Sequence, residues 1–238
     1  DGLAQAHATL GLVLTEYDHD WSGGESEYKK AIELDPGYAM AHFWYSQLLS
    51  AREHSDEASA QIRRARELDP LSPIIQANLA RQLVFAREYD RAIEEGRKAV
   101  ETIPNFPPAH RFLAYAYRAK GMIREAIAES QAAASLLGQT PLGLLNLGLA
   151  QALAGQRAEA LRIIEEMKTL AARRYVSPAF IAIVFQCLGD KDQTLEWWAK
   201  ACEDRSFDLI FLKVDPLNDD LRGDPRFADL LRKAGLAP

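Results

Sequence analysis

A pattern of basic, small and apolar positions recurs along the chain at an interval of 34 residues. Its centre is the stretch 63–70, Arg-Arg-Ala-Arg-Glu-Leu-Asp-Pro, and matching stretches stand at 29–36 and 97–104. All three contain a basic pair, an alanine, an apolar residue and a final proline. A fixed period of roughly 20–50 residues is typical of stacked supersecondary units. The period therefore predicts a repeat array, and it outranks the local signals in the chain.

Two ladders of small residues mark the second helix of each predicted unit. Positions seven apart lie close to one helical face, and small side chains there let a neighbouring helix approach closely. The two ladders are Gly24, Ala58, Ala92, Ala126, Ala160 and Thr194, and Ala31, Ala65, Ala99, Ala133, Met167 and Ala201. Proline cannot continue a helix, so a third ladder predicts where the second helices end: Pro36, Pro70 and Pro104, with Gly138 in the next unit.

The first helices are bounded by their own signals. A hydroxyl residue followed by proline predicts an N-cap with proline at the first helical position, at Ser72, Thr140 and Ser177. Glycines 34 residues apart predict left-handed C-termini, at Gly121, Gly155 and Gly189. The first unit carries an extra residue near 18–21. Each unit therefore reads as helix, turn, helix and connector.

Paired helices on this period, with small residues at these positions and a closing proline, resemble the tetratricopeptide repeat (TPR) family. The resemblance implies an all-α, right-handed α-solenoid of about six helix pairs in residues 1–206. The units are expected at about 4–38, 39–72, 73–106, 107–140, 141–174 and 175–206. Residues 207–238 leave the period, and their apolar run 207–212 and a capped amphipathic helix predict a C-terminal capping segment.

A narrower resemblance concerns particular stretches of the chain. Residues 41–45 and 68–73, together with 212–216 and 222–227, are similar to repeats that follow winged-helix regulator or serine/threonine kinase domains in bacteria. This resemblance implies the docking or regulatory part of a larger bacterial signalling protein. The chain begins at Asp1 with no signal-like apolar run, so we expect a domain cut from something longer.

Composition and charge narrow the classes of partner. The chain is 48% hydrophobic and 26% charged, which is typical of globular proteins, and its net charge of −6 predicts no nucleic-acid binding. The most apolar window, 142–155, is too short for a membrane span, so no membrane insertion is expected. Cys187 and Cys202 fit neither a disulfide framework nor a zinc site. A cytoplasmic location is favoured, and an extracytoplasmic part of a membrane-anchored regulator stays open.

No constellation of catalytic residues stands in the sequence. It has no glycine-rich phosphate loop, nucleophile elbow, Cys-x-x-Cys pair or His-Glu-x-x-His, so we expect no enzyme, no cofactor and no metal site. The run 18–20, Asp-His-Asp, could touch a metal, but a solvated loop is the favoured interpretation. His42 and His110 are expected to pack between helices rather than to bind a ligand.

The resemblance implies that the first helices line a concave groove. Arginine beside aromatic residues is the composition of binding hot spots, and guanidinium groups suit a carboxylate-bearing or acidic peptide. Alternatively, these arginines solubilise the groove or pair with acidic neighbours. Asn78 alone echoes the carboxylate clamp of chaperone co-factors, so binding of chaperone C-termini is not expected. The predicted partner-binding residues are Phe43, Gln47, Ile74, Asn78, Arg81, Phe85, Arg111, Tyr115 and Arg118, with Met40 and Ala77 also facing inward.

The fifth and sixth units differ because their inward positions are apolar. These are Leu142, Leu145, Leu149 and Leu153, followed by Val176, Ala179, Ile183 and Cys187. Either a partner or the chain's own tail covers this strip, and the tail is favoured. The sequence thus predicts a scaffold that binds a peptide or a partner protein, acidic or through its C-terminus. A self-association module, forming a homo-oligomer, is the alternative. A third hypothesis is a ligand-sensing pocket between the tail and the apolar half of the groove.

Overall fold

The computed structural model describes residues 2–236, which form thirteen α-helices and no strand. Twelve of the helices form six consecutive pairs. The prediction of an all-α solenoid is confirmed. The pairs are α1 (Gly2–Val13) with α2 (Trp21–Leu34), α3 (Ala39–Ala51) with α4 (Ser55–Leu68), α5 (Pro73–Phe85) with α6 (Tyr89–Thr102), α7 (Pro107–Lys120) with α8 (Ile123–Leu137), α9 (Pro141–Leu153) with α10 (Arg157–Ala171), and α11 (Pro178–Cys187) with α12 (Lys191–Glu203).

The two ladders of small residues lie in the packing between helices. Ala92 and Ala126 are completely buried, and so is Thr194 at the last rung. In the first pair, a β-carbon on Gly24 would stand 2.3 Å from Thr15 Oγ1 and 3.1 Å from the carbonyl oxygen of Gly11. The small side chains thus let the helices of each pair approach until backbone and side chain are in contact.

The ends of the first helices repeat one left-handed backbone conformation. Gly121, Gly155 and Gly189 have φ of 79°, 74° and 71°, as their spacing predicts. Glu53 and Arg87 stand at the same place in the second and third pairs, with φ of 65° and 59°. The period therefore holds at the level of the backbone even where glycine is missing.

The predicted hydroxyl caps form at only one of the three positions. Thr140 Oγ1 accepts a hydrogen bond from Gly143 N at 3.1 Å. Ser72 makes no side-chain cap, and the hydroxyl of Ser177 instead donates to Asp208 Oδ2 at 2.8 Å. The prediction of a cap at Ser177 is wrong because a carboxylate from the tail takes its hydroxyl.

The extra residue of the first pair is absorbed by a π-helical turn at Leu14–Asp18 that extends α1. His19 ends this turn in the left-handed conformation, with φ of 55°. Asp20 then caps α2 by accepting a hydrogen bond from Gly23 N at 2.9 Å. A wider turn consumes one more residue without breaking the helix, so the register is restored before α2 begins.

A polar contact joins successive pairs at the proline connectors. The Nε2 atoms of His42, Gln76 and His110 donate to the carbonyl oxygens of Pro36, Pro70 and Pro104, at 3.1, 2.6 and 2.8 Å. The three donors are 34 residues apart. This contact explains the two histidines, which serve packing as expected. Gln76 fulfils the same role without being suspected from the sequence.

Residues 207–236 form a tail of two 3-10 helices, Phe207–Phe211 and Pro216–Leu221, followed by α13 (Pro225–Lys233). Leu209, Leu212 and Leu221 are buried with Ala182 and Trp198 of the last pair. The tail also lies over the apolar strip, where Leu145 is 4% and Leu149 8% exposed. The chain's own C-terminal segment therefore covers these side chains.

Candidate partner-binding groove

Four consecutive first helices, α5, α7, α9 and α11, form the floor of one concave groove. Their side chains face a common cavity, and the tail forms its roof. Five predicted partner-binding residues lie on this floor: Arg81, Phe85, Arg111, Tyr115 and Arg118. They share it with Leu145, Leu149, Ile183 and Gln186 from the last two pairs. The floor is thus charged and aromatic at one end and apolar at the other.

The other four predicted residues do not line this cavity. Phe43 is 3% exposed and packs within the core of the second and third pairs. Ile74 packs against the same core. Asn78 is buried, its amide nitrogen donates to the carbonyl oxygen of Ile74 at 2.9 Å, and it is not among the residues that line the cavity. Gln47 contributes indirectly, because its Oε1 accepts a hydrogen bond from Arg81 Nη2 at 2.5 Å.

Arg81 is surrounded by aromatic rings. Its guanidinium carbon lies 4.5 Å from the ring centre of Phe211, 4.9 Å from Phe112 and 6.0 Å from Phe85. Cation–π contacts of this kind hold a guanidinium without neutralising it. Burial and the neighbouring Arg111 lower the pKa of Arg81 to about 10. Its Nε is buried with no hydrogen-bond partner among the described residues.

Arg111 faces the same cavity from α7. Its guanidinium carbon stands 5.5 Å from the ring centre of Phe112, and burial lowers its pKa. Two carboxylates lie nearby, those of Asp208 and Glu16. Burial raises the pKa of Asp208 to about 6, while the hydrogen bond from Ser177 and the two arginines act to lower it. Within the described residues, neither Arg81 nor Arg111 comes within 4.0 Å of a carboxylate oxygen. The two arginines therefore face each other and the cavity without a direct ion pair.

The roof contacts the floor through one aromatic and one acidic residue. Phe211 stacks on Phe85 with 4.8 Å between ring centres. Asp215 accepts hydrogen bonds from the hydroxyl of Tyr115 at 2.6 Å and from Leu217 N at 2.8 Å. Burial raises the pKa of Asp215, and it raises the pKa of Tyr115 as well. A segment with acidic and aromatic side chains thus already lies against the predicted binding residues.

Ion pairs hold the roof at its edges. Arg87 donates two hydrogen bonds to the carboxylate of Asp219, at 2.7 and 2.9 Å. This contact lowers the pKa of Asp219 to about 2. Lys213 Nζ lies 2.6 Å from Glu53 Oε2. Glu53 and Arg87 are the two charged residues that end first helices in the left-handed conformation.

The end of the tail reaches the first helix pair. Trp21 packs against the same apolar cluster as Ala234 and Leu236. Its Nε1 is 3.1 Å from the point that a β-carbon on Gly235 would occupy. The 3-10 helix Phe207–Phe211 contacts α3 and the π-helical turn. Contacts between the two ends of the chain therefore close the groove on one side.

Comparison with known proteins bears on this architecture. A family model described as tetratricopeptide repeat matches residues 27–59, which span most of α2, all of α3 and the start of α4. The fold is that of a TPR solenoid. Comparison with curated proteins gives no match.

Several solved structures superpose over most of the chain. PilW, a type IV pilus biogenesis factor, is 16% identical with a TM-score of 0.61, over 97% of this chain and 99% of PilW. PilF of Pseudomonas aeruginosa is 14% identical with a TM-score of 0.60, over 98% of each chain. The protein TTC0263 of Thermus thermophilus is 24% identical with a TM-score of 0.55, over 82% of this chain and 99% of its own. At these identities the likeness establishes the fold.

Metal ligands and membrane spans are missing from the described part of this TPR array. No group of three or more His, Cys, Asp or Glu residues in 2–236 could hold a metal ion. None of the helices in that range combines the length and the hydrophobicity that a membrane span requires. The thiols of Cys187 and Cys202 are free, and burial raises the pKa of both.

Sequence reasoning missed the roof's polar face. The tail was expected to cover apolar surface, yet Asp208, Phe211, Asp215 and Asp219 face the charged end of the TPR groove. The available signal was the mixture of acidic and apolar residues in 207–221, where only the apolar ones fit a plain cap. Gln186 was missed too, and its amide donates to Leu217 O at 2.7 Å.

Proposed function

We propose that this chain is a protein-interaction scaffold whose concave groove binds a peptide segment of a partner protein. The observation that carries the proposal is the occupant of the groove. Residues 207–219 place an aromatic ring over Arg81 and Phe85 and a carboxylate on Tyr115. A partner segment with an aromatic residue and acidic neighbours would find the same contacts. A structural neighbour in the Cut9–Hcn1 hetero-tetramer is itself part of a protein assembly, in keeping with this role.

The tail competes with any such partner because it belongs to the same chain. An attached segment has an effective concentration in the millimolar range for a short linker. A partner must therefore displace the roof, or the roof must first be released. This competition suits the regulatory part of a larger signalling protein, which is the role that we propose for the chain.

Fluorescence anisotropy with a labelled peptide of residues 207–219 tests the groove. The variant Phe211→Ala with Asp219→Ala weakens the roof at the aromatic stack and at the edge, and it leaves the groove's own residues, Phe85 and Arg87, unchanged. We expect this opened variant to bind the peptide at least about tenfold more tightly than the unmodified chain, since the competing tail is weakened.

The arginines are tested in the opened variant. Adding Arg81→Ala and Arg111→Ala should weaken the peptide by about 2–5 kcal/mol, since both charges are desolvated by the bound segment. The matched control changes two exposed arginines of second helices, Arg64→Ala and Arg162→Ala, and should leave the affinity unchanged. Full affinity without Arg81 and Arg111 would mean that the groove is not the docking site.

Self-association is the second candidate function, and it is favoured because the tail contacts join residues that are far apart in the sequence. Tyr115 and Asp215 are 100 residues apart, and Arg87 and Asp219 are 132 apart. A tail from a second copy could make the same contacts, as in domain swapping. Sedimentation at increasing concentration would show a dimer. Arg87→Glu should then weaken the dimer, and adding Asp219→Arg should restore it, whereas a monomer at all concentrations would exclude it.

A further inference from the structure

A space remains between roof and floor when the tail is in place. The space free for a ligand or for water is about 140 Å³, and it reaches from Arg81 on α5 to Gln186 on α11. Clefts for drug-sized ligands are commonly roughly 300–1,000 Å³, so this smaller space suits a small ligand. With the roof in place, a space of this size has room for a small molecule and not for a second peptide segment.

Unpaired hydrogen-bond donors face this space. Arg81 Nε, Ser130 Oγ and Trp198 Nε1 are buried without a partner among the described residues, and all three side chains line the cavity. Arg111 likewise makes no side-chain hydrogen bond within the described range. Buried polar groups are paired in the large majority of cases, so a cluster of unpaired donors calls for an acceptor.

The acidic residues of the roof do not supply that acceptor. Asp208 accepts from Ser177 at 2.8 Å, and Asp215 accepts from Tyr115 and Leu217. The guanidinium groups of Arg81 and Arg111 are close enough that the charge of Arg111 lowers the pKa of Arg81. An oxyanion placed between them would remove this repulsion and could accept from both planar forks.

The far end of the cavity has the opposite character. Leu145 and Leu149 of α9, Ile183 of α11 and Leu212 and Leu217 of the roof line it. Because the floor helices follow in order, the charged end at α5 and α7 lies next to the apolar end at α9 and α11. A ligand that uses both ends has an anionic head and an apolar body.

We propose that this cavity binds a small organic acid, whose carboxylate is held by Arg81 and Arg111 and whose apolar body lies on Leu145, Leu149 and Ile183. Such a ligand would sit under the closed roof. It would therefore add contacts to the tail-bound form of the chain and stabilise that form over the open one. The small acid would share Arg81 and Arg111 with the proposed peptide, but it would bind with the roof in place, whereas the peptide binds with the roof displaced.

Thermal unfolding and titration calorimetry of the intact chain test the proposal with straight-chain carboxylates. The probes are acetate, butyrate, hexanoate and octanoate, with hexylamine as the control of equal length and opposite charge. Affinity should rise roughly fourfold for each added methylene up to the length of the cavity, as burial of a CH₂ predicts. Hexylamine should not bind. Equal binding of hexylamine and hexanoate, or no rise in melting temperature with any acid at about 10 mM, would overturn the proposal and leave a water-filled cavity.

The variant Arg111→Met tests the head of the site. It keeps the length of the side chain and removes the charge, and it should weaken hexanoate at least tenfold. Its melting temperature without ligand should not fall, because an unpaired buried charge is removed. Arg111→Lys retains a charge without the fork and should bind with intermediate affinity. The exposed control Arg64→Met should bind as the unmodified chain does, and hexanoate binding that survives Arg111→Met would contradict the assignment.

Discussion

The second and third helix pairs differ from the last three in the residue that ends the first helix. All five positions share one left-handed backbone, but Glu53 and Arg87 stand where the later pairs have glycine. A side chain in this conformation costs about 1–2 kcal/mol. Both exceptions extend a charge to the tail, toward Lys213 and Asp219. At the two positions where a charged residue replaces glycine, the strained residue therefore forms an ion pair with the tail.

The floor of the groove shows the same division. The tail buries Leu209 and Leu212 against the last pair, whereas it meets the earlier pairs through Phe211, Asp215 and Asp219. Burial of apolar area supplies most of the stability of such contacts, and exposed ion pairs supply little. The apolar face should therefore hold the tail on the array, and the polar face should determine where it lies.

Loss of the apolar face should have the largest effect. Leu209 is completely buried, so Leu209→Ala should lower the free energy of unfolding by about 2–5 kcal/mol. Urea unfolding followed by circular dichroism measures it. Phe207, which is 43% exposed, is the matched control, and Phe207→Ala should cost much less. Equal costs for the two variants would show that the apolar face does not anchor the tail.

Exchange of residues at the left-handed positions sharpens the comparison between the halves. Gly121 has φ of 79° with open space around its α-carbon, so Gly121→Ala adds backbone strain alone. We expect a loss of about 1–2 kcal/mol by thermal or urea unfolding. Arg87→Gly should be more stable than Arg87→Ala by a similar amount, because both lose the ion pair and only glycine relieves the strain. Identical stability of those two variants would contradict this account.

The carboxylate of Asp208 should make the free energy of unfolding depend on pH. Its pKa is raised to about 6, so the folded chain binds the proton more tightly than the unfolded chain does. Stability from this group therefore falls as the pH rises from about 4 to 6. Asp208→Asn should stabilise the fold at pH 7 by on the order of 1 kcal/mol and have little effect at pH 4. The measurement is urea unfolding of both chains across this range, and a pH-independent difference would refute the prediction.

The ion pair between Arg87 and Asp219 should contribute least to the free energy of unfolding. Arg87 and Asp219 are both exposed, so Arg87→Ala should cost less than about 1 kcal/mol, and less again in high salt. The pKa of Asp219 is lowered to about 2, so the contribution is present above its ordinary pKa and is lost as the pH falls through about 2. Unfolding at low and high salt measures it, and a cost above about 2 kcal/mol would mean that this pair anchors the tail.

Sequence reasoning found what repeats and missed what occurs once. The same close packing and the same turn recur in each helix pair. They could therefore be predicted from residues 34 apart, as at Ala92 and Ala126 and at the turn glycines. The arginines of α5 and α7 were found because resemblance supplies the inward positions. The contact of Tyr115 with Asp215 joins residues 100 apart and follows no period. Asn78 was singled out by its residue type alone, and the structure places it outside the residues that line the cavity.

The tail also changes the mechanics of the array. In a solenoid whose pairs contact only their neighbours, small rotations at each junction add up along its length and change its curvature. The contacts of Arg87 with Asp219, and of Trp21 with the turn at Gly235, join the tail to helix pairs far from it in the sequence. These contacts oppose any change in the curvature of the array. Release of the tail would therefore do more than uncover a surface, because it would allow the whole array to lengthen and to open its curvature around whatever it then holds.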